Sequence, residues 1–374
     1  MNTSLELGRI HGIRIGINWS WLVVFGLIVW TLATAVFPDQ NPGLSDGAYV
    51  GMAIVAALLF FSSLLAHELG HAFEAQHEGM EIDGITLWLF GGVAKFKGQF
   101  PSAGAEFRIA IAGPLVSLLL GGAFVLAAWA AGLPEAVDGV AAWLGYINLL
   151  LLAFNLLPAL PLDGGRVLRS ALWKARGDFA WATRIAAETG RGFGYLMIAA
   201  GLFLFIFQGA FSGAWLAFIG WFLLSAATAE QRYLATREAF GGLRVRDLMT
   251  HDPVTVAPGL TLGAFMDDVV WARRYTTYPV VEDGRVVGLL PFRCVAEVPR
   301  AEWDERLVRD CMIPYERVPV LTEDEELIDA LGELSESGVN RGLVLADGRL
   351  VGLLSITDLA RVLEVGRPRR RAAS

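Results

Sequence analysis

Six apolar runs leave this chain few ways to fold. They extend over Trp19 to Phe37, Tyr49 to about Gln76, Phe107 to Ala131, Val140 to Leu160, Phe193 to Phe207 and Ala214 to Ala229. A helix needs about 20 apolar residues to cross the hydrocarbon of a bilayer. The first four runs are long enough, and the last two, parted by Gln208 to Gly213, are near the lower limit. The 374 residues are 55% hydrophobic and 18% charged, with a mean hydropathy of +0.50, which is too apolar for a soluble chain of this size. Nearly all the dense charge lies after Glu230, so a membrane half precedes a soluble half. No Ala-x-Ala-like cleavage site follows a short apolar core, and the first run is expected to span rather than to be removed. Trp19 and Trp21 are placed to anchor it at the interface.

Charge orients these spans. The segment before Trp19, the loop from Arg166 to Arg184 and the stretch after Ala229 are rich in Arg, whereas residues 38–46 and 132–139 hold acidic residues and no basic ones. Six spans and the positive-inside rule then put the basic segments, both termini and the soluble half in the cytoplasm. The formal net charge of −8 gives no reason to expect nucleic acid as a partner. Two cysteines, Cys294 and Cys311, form no disulfide framework and suit a reducing cytosol.

The second run ends in His67-Glu68-Leu69-Gly70-His71. Two imidazoles four residues apart lie on one face of a helix, roughly 6 Å apart, which suits two ligands on one zinc ion. Glu68 points to a neighbouring part of that surface, where a carboxylate can take a proton from water at a metal. An ionisable side chain at mid-bilayer costs roughly 2.5–3.5 kcal/mol, so three within one turn are hard to explain as packing. His77 follows His67 at the spacing of the soluble metzincin proteases, but Glu74 stands where those need a glycine. On an unbroken helix His77 lies about 15 Å further along and about 80° off the face of His67. It reads as an interfacial residue.

A third ligand is better sought at Asp163, in Asn155-Leu-Leu-Pro158-Ala-Leu-Pro161-Leu-Asp163-Gly164-Gly165. The prolines open the helix and the glycines allow close backbone approach, so the carboxylate can point at something bound. An Asp-Gly-Gly turn at the membrane surface is the alternative. On the orientation above, the His67 motif and Asp163 each end an out-to-in span, and so arrive at similar depth. Together, H-E-x-x-H and N-x-x-P-x-x-P-L-D-G-G closely resemble the motifs of the site-2 protease family of intramembrane zinc metalloproteases. The match is residue by residue at His67, Glu68, His71, Asn155, Pro158 and Asp163. The resemblance implies one zinc ion per chain on His67, His71 and Asp163, Glu68 as general base, and Asn155 with Pro158 as substrate contacts.

Around this site, residues 1–18 read as an extended segment with Ile13, Ile15 and Ile17 at strand spacing and Arg9 and Arg14 facing water. Ile82 to Lys97 is apolar, too short to cross as a helix, and suits a β-hairpin dipping into the membrane. In the family resembled, such a hairpin holds substrate as an added strand, which implies Gly91 and Gly92 as contacts; a plain turn is the alternative. Gly113, Ser117 and Gly121 make a small-residue ridge for close helix packing.

The soluble half carries an internal repeat. Val245-Arg-Asp-Leu-Met249 recurs as Val308-Arg-Asp-Cys-Met312, and Asp283-Gly-Arg-Val-Val-Gly-Leu-Leu290 as Asp347-Gly-Arg-Leu-Val-Gly-Leu-Leu354, 63 and 64 residues later. Each copy alternates β-rich runs with amphipathic helices and has an Asp-Gly hairpin turn. This resembles a tandem cystathionine-β-synthase-type (CBS) pair, which implies an adenine-nucleotide cleft and homodimerisation. Ser355, Thr357 and Asp358 of the second copy resemble the family's phosphate and ribose contacts, with a helix N-cap as the alternative for Asp358. The first copy departs from the pattern at Pro291 and Cys294.

The expected architecture is an α-helical polytopic membrane domain of about six transmembrane helices plus a membrane-associated β-hairpin, followed by an α/β tandem CBS module. Its boundaries are a protease domain over 1–230, a connector over 231–242, CBS domains over 243–300 and 301–366, and a basic tail over 367–374. The expected activity is zinc-dependent cleavage of a membrane-anchored protein within its transmembrane segment, near the cytoplasmic side, with the CBS pair regulatory. A CBS-regulated transporter would explain the architecture, but not why Glu follows the first His or why Asn155, Pro158 and Asp163 keep the family spacing. A silent scaffold should have lost Glu68 or a ligand.

Overall fold

The computed structural model describes residues 5–88, 91–96, 98–130, 132–271 and 275–357, and divides the chain into two compact units, Met1–Leu234 and Ala235–Ser374. In the first unit, strands β1 (Leu5–Ile10) and β2 (Ile13–Ile17) form a hairpin. Next come α1 (Ser20–Thr31), a π turn over Leu32–Val36 and α2 (Phe37–Gln40), which together make the first long helix. The long helix α3 (Asp46–His77) starts at Ser45, whose hydroxyl accepts from Ala48 N. Strands β3 (Ile82–Trp88) and β4 (Gly91–Phe96) follow, then α4 (Ala103–Trp129) and α5 (Glu135–Asn155). Helices α6 (Asp163–Arg176) and α7 (Phe179–Gln208) and most of α8 (Phe211–Phe240) close the unit.

Among the described residues, six helices are long and apolar enough to cross a membrane. The protein is a multi-pass membrane protein. The four strands form one sheet in the order β1-β2-β3-β4, with β2 and β3 parallel and the others antiparallel. Ile13 and Ile85 project from it onto Ala72, so the sheet rests on the half of α3 that carries the histidines. Arg14, exposed as its alternation predicts, pairs with Asp83 at 3.0 Å.

Three features differ from the expectation. The fourth span ends at Asn155 rather than Leu160, because the two prolines interrupt the helical ladder. The Arg-rich segment after Asp163 is helix α6, not a loop, with its acidic residue at the N-terminus and Lys174 and Arg176 in the last turn, as the helix dipole favours. The fifth and sixth helices are 30 residues each, far longer than their apolar centres, and α8 continues through most of the expected connector.

Buried charge ties three of these helices together. Arg169 of α6, 3% exposed, donates to Glu106 of α4 at 2.6 Å and to Glu230 of α8 at 2.8 Å. Its guanidinium also lies over the rings of Phe100 and Phe179, at 5.8 and 4.9 Å.

The second unit holds two sheets. One runs β5-β11-β10-β9, from Thr250–His251, Arg349–Ser355, Arg341–Ala346 and Val320–Leu321; the other runs β6-β7-β8, from Thr277–Glu282, Arg285–Pro291 and Ile313–Pro314. Both Asp-Gly turns form as the sequence predicts. Asp283 and Gly284 have φ of 50° and 76°, and Asp347 and Gly348 have 49° and 76°, the backbone of a two-residue hairpin loop. In each Val-Arg-Asp segment the carboxylate accepts from a backbone N–H three residues earlier, Asp247 from Arg244 and Asp310 from Leu307. Each of the two cores draws on both repeats. Val245 and Met249 pack with Leu327, Val344 and Leu354, and Val308 packs with Phe265, Tyr278 and Leu290. The leading segment of each repeat is thus built into the other repeat's core. The repeat reveals which segments correspond, but not which segments pack together.

Candidate metal centre

The centre is assembled from α3, α4 and the start of α6. His67 and His71, 2% and 4% exposed, are turned toward each other by their positions one helical turn apart. Asp163, 8% exposed, reaches them from the first residue of α6. Its Oδ2 is 3.2 Å from His67 Nε2 and its Oδ1 is 3.3 Å from His71 Nε2, while the two Nε2 atoms are 3.2 Å apart. The loop before Asp163 is pressed against the new helix. A β-carbon at Gly164 or Gly165 would run into the backbone of Leu156, Leu157, Ala159 or Leu160, so the adjacent glycines make this approach feasible.

The outer nitrogens fix how the rings present themselves. His71 Nδ1 lies 2.6 Å from the carbonyl oxygen of Ile109, which can only accept, so Nδ1 carries the hydrogen and the Nε2 lone pair faces inward. Ser117 Oγ, 2.8 Å from His67 Nδ1, can accept that ring's hydrogen with the same result. Such outer contacts orient ligand imidazoles and raise their basicity. Gly113 of α4 closes the back of the site, where a β-carbon would overlap both Nε2 atoms. The ridge that the sequence suggested for helix packing therefore serves the histidines: Gly113 makes room for them and Ser117 orients one of them.

The donor set fits zinc. Four ligands at about 2.0–2.1 Å in a tetrahedron place neighbouring donor atoms about 3.3 Å apart. The three observed separations lie at that value, and two nitrogen lone pairs meeting a carboxylate in a buried place call for a cation among them. Among the described residues this is the one cluster of His, Cys, Asp and Glu suited to hold a metal ion.

A cavity of about 200 Å³ opens onto the cluster, lined by Glu68, Gly92, Ala94, Asn155, Pro161, Leu162 and Arg166 as well as the three donors. Glu68 faces it beside the histidines and is covered by Gly92 of β4, where a β-carbon would collide with its side chain. Of the expected substrate contacts, Asn155 and Gly92 are brought to this cavity. Gly91 is next to it on β4, toward Leu64, and Pro158 is exposed in the loop before α6, where Pro161 takes the lining position instead. His77, the last residue of α3, is exposed and outside the cluster, as the helical arithmetic requires. Sequence reasoning gave Gly113 and Ser117 only a packing role and Arg166 only a part in orienting the spans. The signal for Arg166 was its place one turn after Asp163, hidden among other arginines of a supposed loop.

In the second unit Ser355 is buried and its hydroxyl accepts from Thr357 N at 3.2 Å, a local turn contact, while Thr357 is exposed. Asp358 lies outside the described residues. In the first repeat Pro291 ends β7 and Cys294 stands half-buried in the short helix Phe292–Ala296 that follows.

Comparison with known proteins is consistent along the whole chain. Residues 55–140 and 130–198 match the family described as peptidase family M50, and residues 245–298 and 308–365 match the CBS domain. Rip3 of Mycobacterium tuberculosis is 39% identical over 98% of this chain and 94% of its own length. The zinc metalloprotease MJ0392 of Methanocaldococcus jannaschii is 32% identical over 98% of this chain and 97% of its own. Among solved structures, the site-2 protease from Methanocaldococcus jannaschii is 29% identical, covering 61% of this chain and 95% of that one, with a TM-score of 0.41.

Proposed function

The chain belongs to peptidase family M50, the site-2 proteases, and on that premise we propose that this zinc metalloprotease cuts a membrane-anchored protein within its transmembrane segment, near the cytoplasmic side. The observation that carries this reading is the convergence of His67, His71 and Asp163 at 3.2–3.3 Å beside Glu68, inside a bundle of membrane-spanning helices. His67, His71 and Asp163 would hold the zinc ion. When bound, the ion polarises a peptide carbonyl and makes water a stronger acid. Glu68 takes the proton of the attacking water and passes it to the leaving amine. Asn155 and the strand that carries Gly91 and Gly92 hold the substrate backbone in extended form, since a helical substrate has its carbonyls occupied until it unwinds. The basic segments support the side near the cytoplasm, with both termini and the CBS repeats in that compartment.

The metal assignment has a direct test. Purified protein should hold one zinc ion per chain, and stripping the metal with a chelator should stop cleavage of a single-span test protein until zinc is restored. Asp163→Ala should lower occupancy, and His77→Ala should not. Retention of zinc by Asp163→Ala with its loss from His77→Ala would refute the ligand set.

For the second unit we propose at most one adenine nucleotide per chain, at Ser355, Thr357 and Asp358, with the CBS pair as a dimerisation and regulatory module. The first repeat lacks the corresponding hydroxyl and carboxylate at Pro291 and Cys294. A charge-assisted hydrogen bond is worth about 1.5–3 kcal/mol, so Asp358→Ala should weaken binding by that amount. Titration calorimetry on the whole protein, with ATP, AMP and S-adenosylmethionine in turn, measures it. Two equivalent sites per chain would contradict the proposal.

A further inference from the structure

We propose that Arg166 is a catalytic residue that binds the negative charge developing on the scissile carbonyl oxygen; the inference rests on the proteolytic reading above. Arg166 stands one turn after Asp163 on α6, half-buried, and it lines the same cavity as Glu68, Asn155 and Pro161. It is the one cation among the residues lining that cavity. Among the described residues it makes no hydrogen bond or ion pair, unlike Arg169 one turn further on, which is saturated by Glu106 and Glu230. A guanidinium has five N–H donors and stays charged at any working pH, so its partner is to be sought in what enters the cavity.

The chemistry of the substrate narrows what that partner is. A membrane-spanning segment is apolar and brings no anionic side chain to the site. The negative charge it does present is the one the reaction creates. Water oxygen bonds to the carbonyl carbon, its proton goes to Glu68, and the π pair of the C=O bond moves onto oxygen. As that pair returns, the C–N bond breaks and the proton held by Glu68 goes to the amine nitrogen, leaving a carboxyl and an amine with no net redox change. During the first step negative charge passes from Glu68 to the carbonyl oxygen, and the Arg166 cation in the same cavity can compensate it before and after. Donors already aimed at the place where charge develops act without reorganising, and deleting one such donor typically lowers kcat by about 10²–10³.

The test uses the full-length zinc protein and a single-span test protein, comparing wild type with Arg166→Met and Arg166→Lys. Arg166→Met should lower kcat by about 10²–10³, with KM within about twofold and one zinc ion per chain retained. Arg166→Lys keeps the charge without the fork and should recover part of the loss. In the Glu68→Gln background, Arg166→Met should leave capture of uncut test protein unchanged, because the developing charge never forms there. Unchanged kcat, a raised KM with normal kcat, or loss of zinc from both variants would each overturn the assignment. Wild-type protein that holds zinc and cuts no membrane protein would overturn the proteolytic reading and this inference with it; failure of the Arg166 variants alone to lose rate overturns only the inference.

Discussion

Glu68→Gln is expected to keep one zinc ion per chain while cleavage of a membrane protein falls by at least the 10²–10⁴ typical of a lost general base. The separation of the two properties follows from the geometry. The inward donors are His67 Nε2, His71 Nε2 and the Asp163 carboxylate, and Glu68 is none of them, although it lines the same cavity. Glutamine fills the space under Gly92 with nearly the same shape, so β4 need not move. Uncut substrate should then remain bound to the variant and be recoverable with it. Metal analysis beside a cleavage assay decides the matter: normal cleavage by Glu68→Gln would end the mechanism, and loss of zinc would make Glu68 a structural part of the centre.

Gly113→Ala should be as damaging as removal of a ligand, although glycine itself has no chemistry to offer. A β-carbon at that position would stand 2.6 Å from His67 Nε2 and against His71 Nε2 as well, in the space the donors enclose. Neither ring can withdraw without giving up its outer contact, to Ser117 in one case and to the Ile109 carbonyl in the other. Losing a contact of that outer kind alone weakens metal binding by about 10–100-fold, and the methyl group adds direct exclusion of the ion. Zinc per chain and cleavage should fall together. Gly122→Ala on the same helix has open space around its β-carbon and should change neither. Equal zinc content in the two variants would show that α4 can yield at Gly113, and would remove it from the site.

How much could be read in advance depended on distance along the chain. The histidine pair is encoded in five consecutive residues and the Asp-Gly turns in two, and both are found where the sequence puts them. Asp163 stood out because prolines and glycines flank it, but a surface turn explained it as well until the match to the family's motifs implied a ligand. The ends of α7 and α8 were not, since an apolar window stops where a helix turns polar, while the helix itself runs on. The same effect disguised α6 as a loop: its arginines were counted as charge, and their spacing along a helix went unread. The exchange of Val245–Met249 and Val308–Met312 between cores could not be read at all, because a repeat specifies equivalence and leaves pairing to tertiary packing.

The arginine between two glutamates has a bearing on how the molecule comes into being. Glu106 precedes Arg169 by 63 residues and Glu230 follows it by 61. A growing chain thus makes the Glu106 carboxylate well before the guanidinium that pairs with it in the folded protein, and a buried ionised group without a partner is costly. Relief arrives when α6 emerges, which is also the moment Asp163 becomes available to the two histidines. The last carboxylate comes only with α8. Chain order therefore joins the two sites: the segment that brings Arg169 to Glu106 also brings Asp163 to the histidines, and the clasp lacks its second carboxylate until α8 has been made.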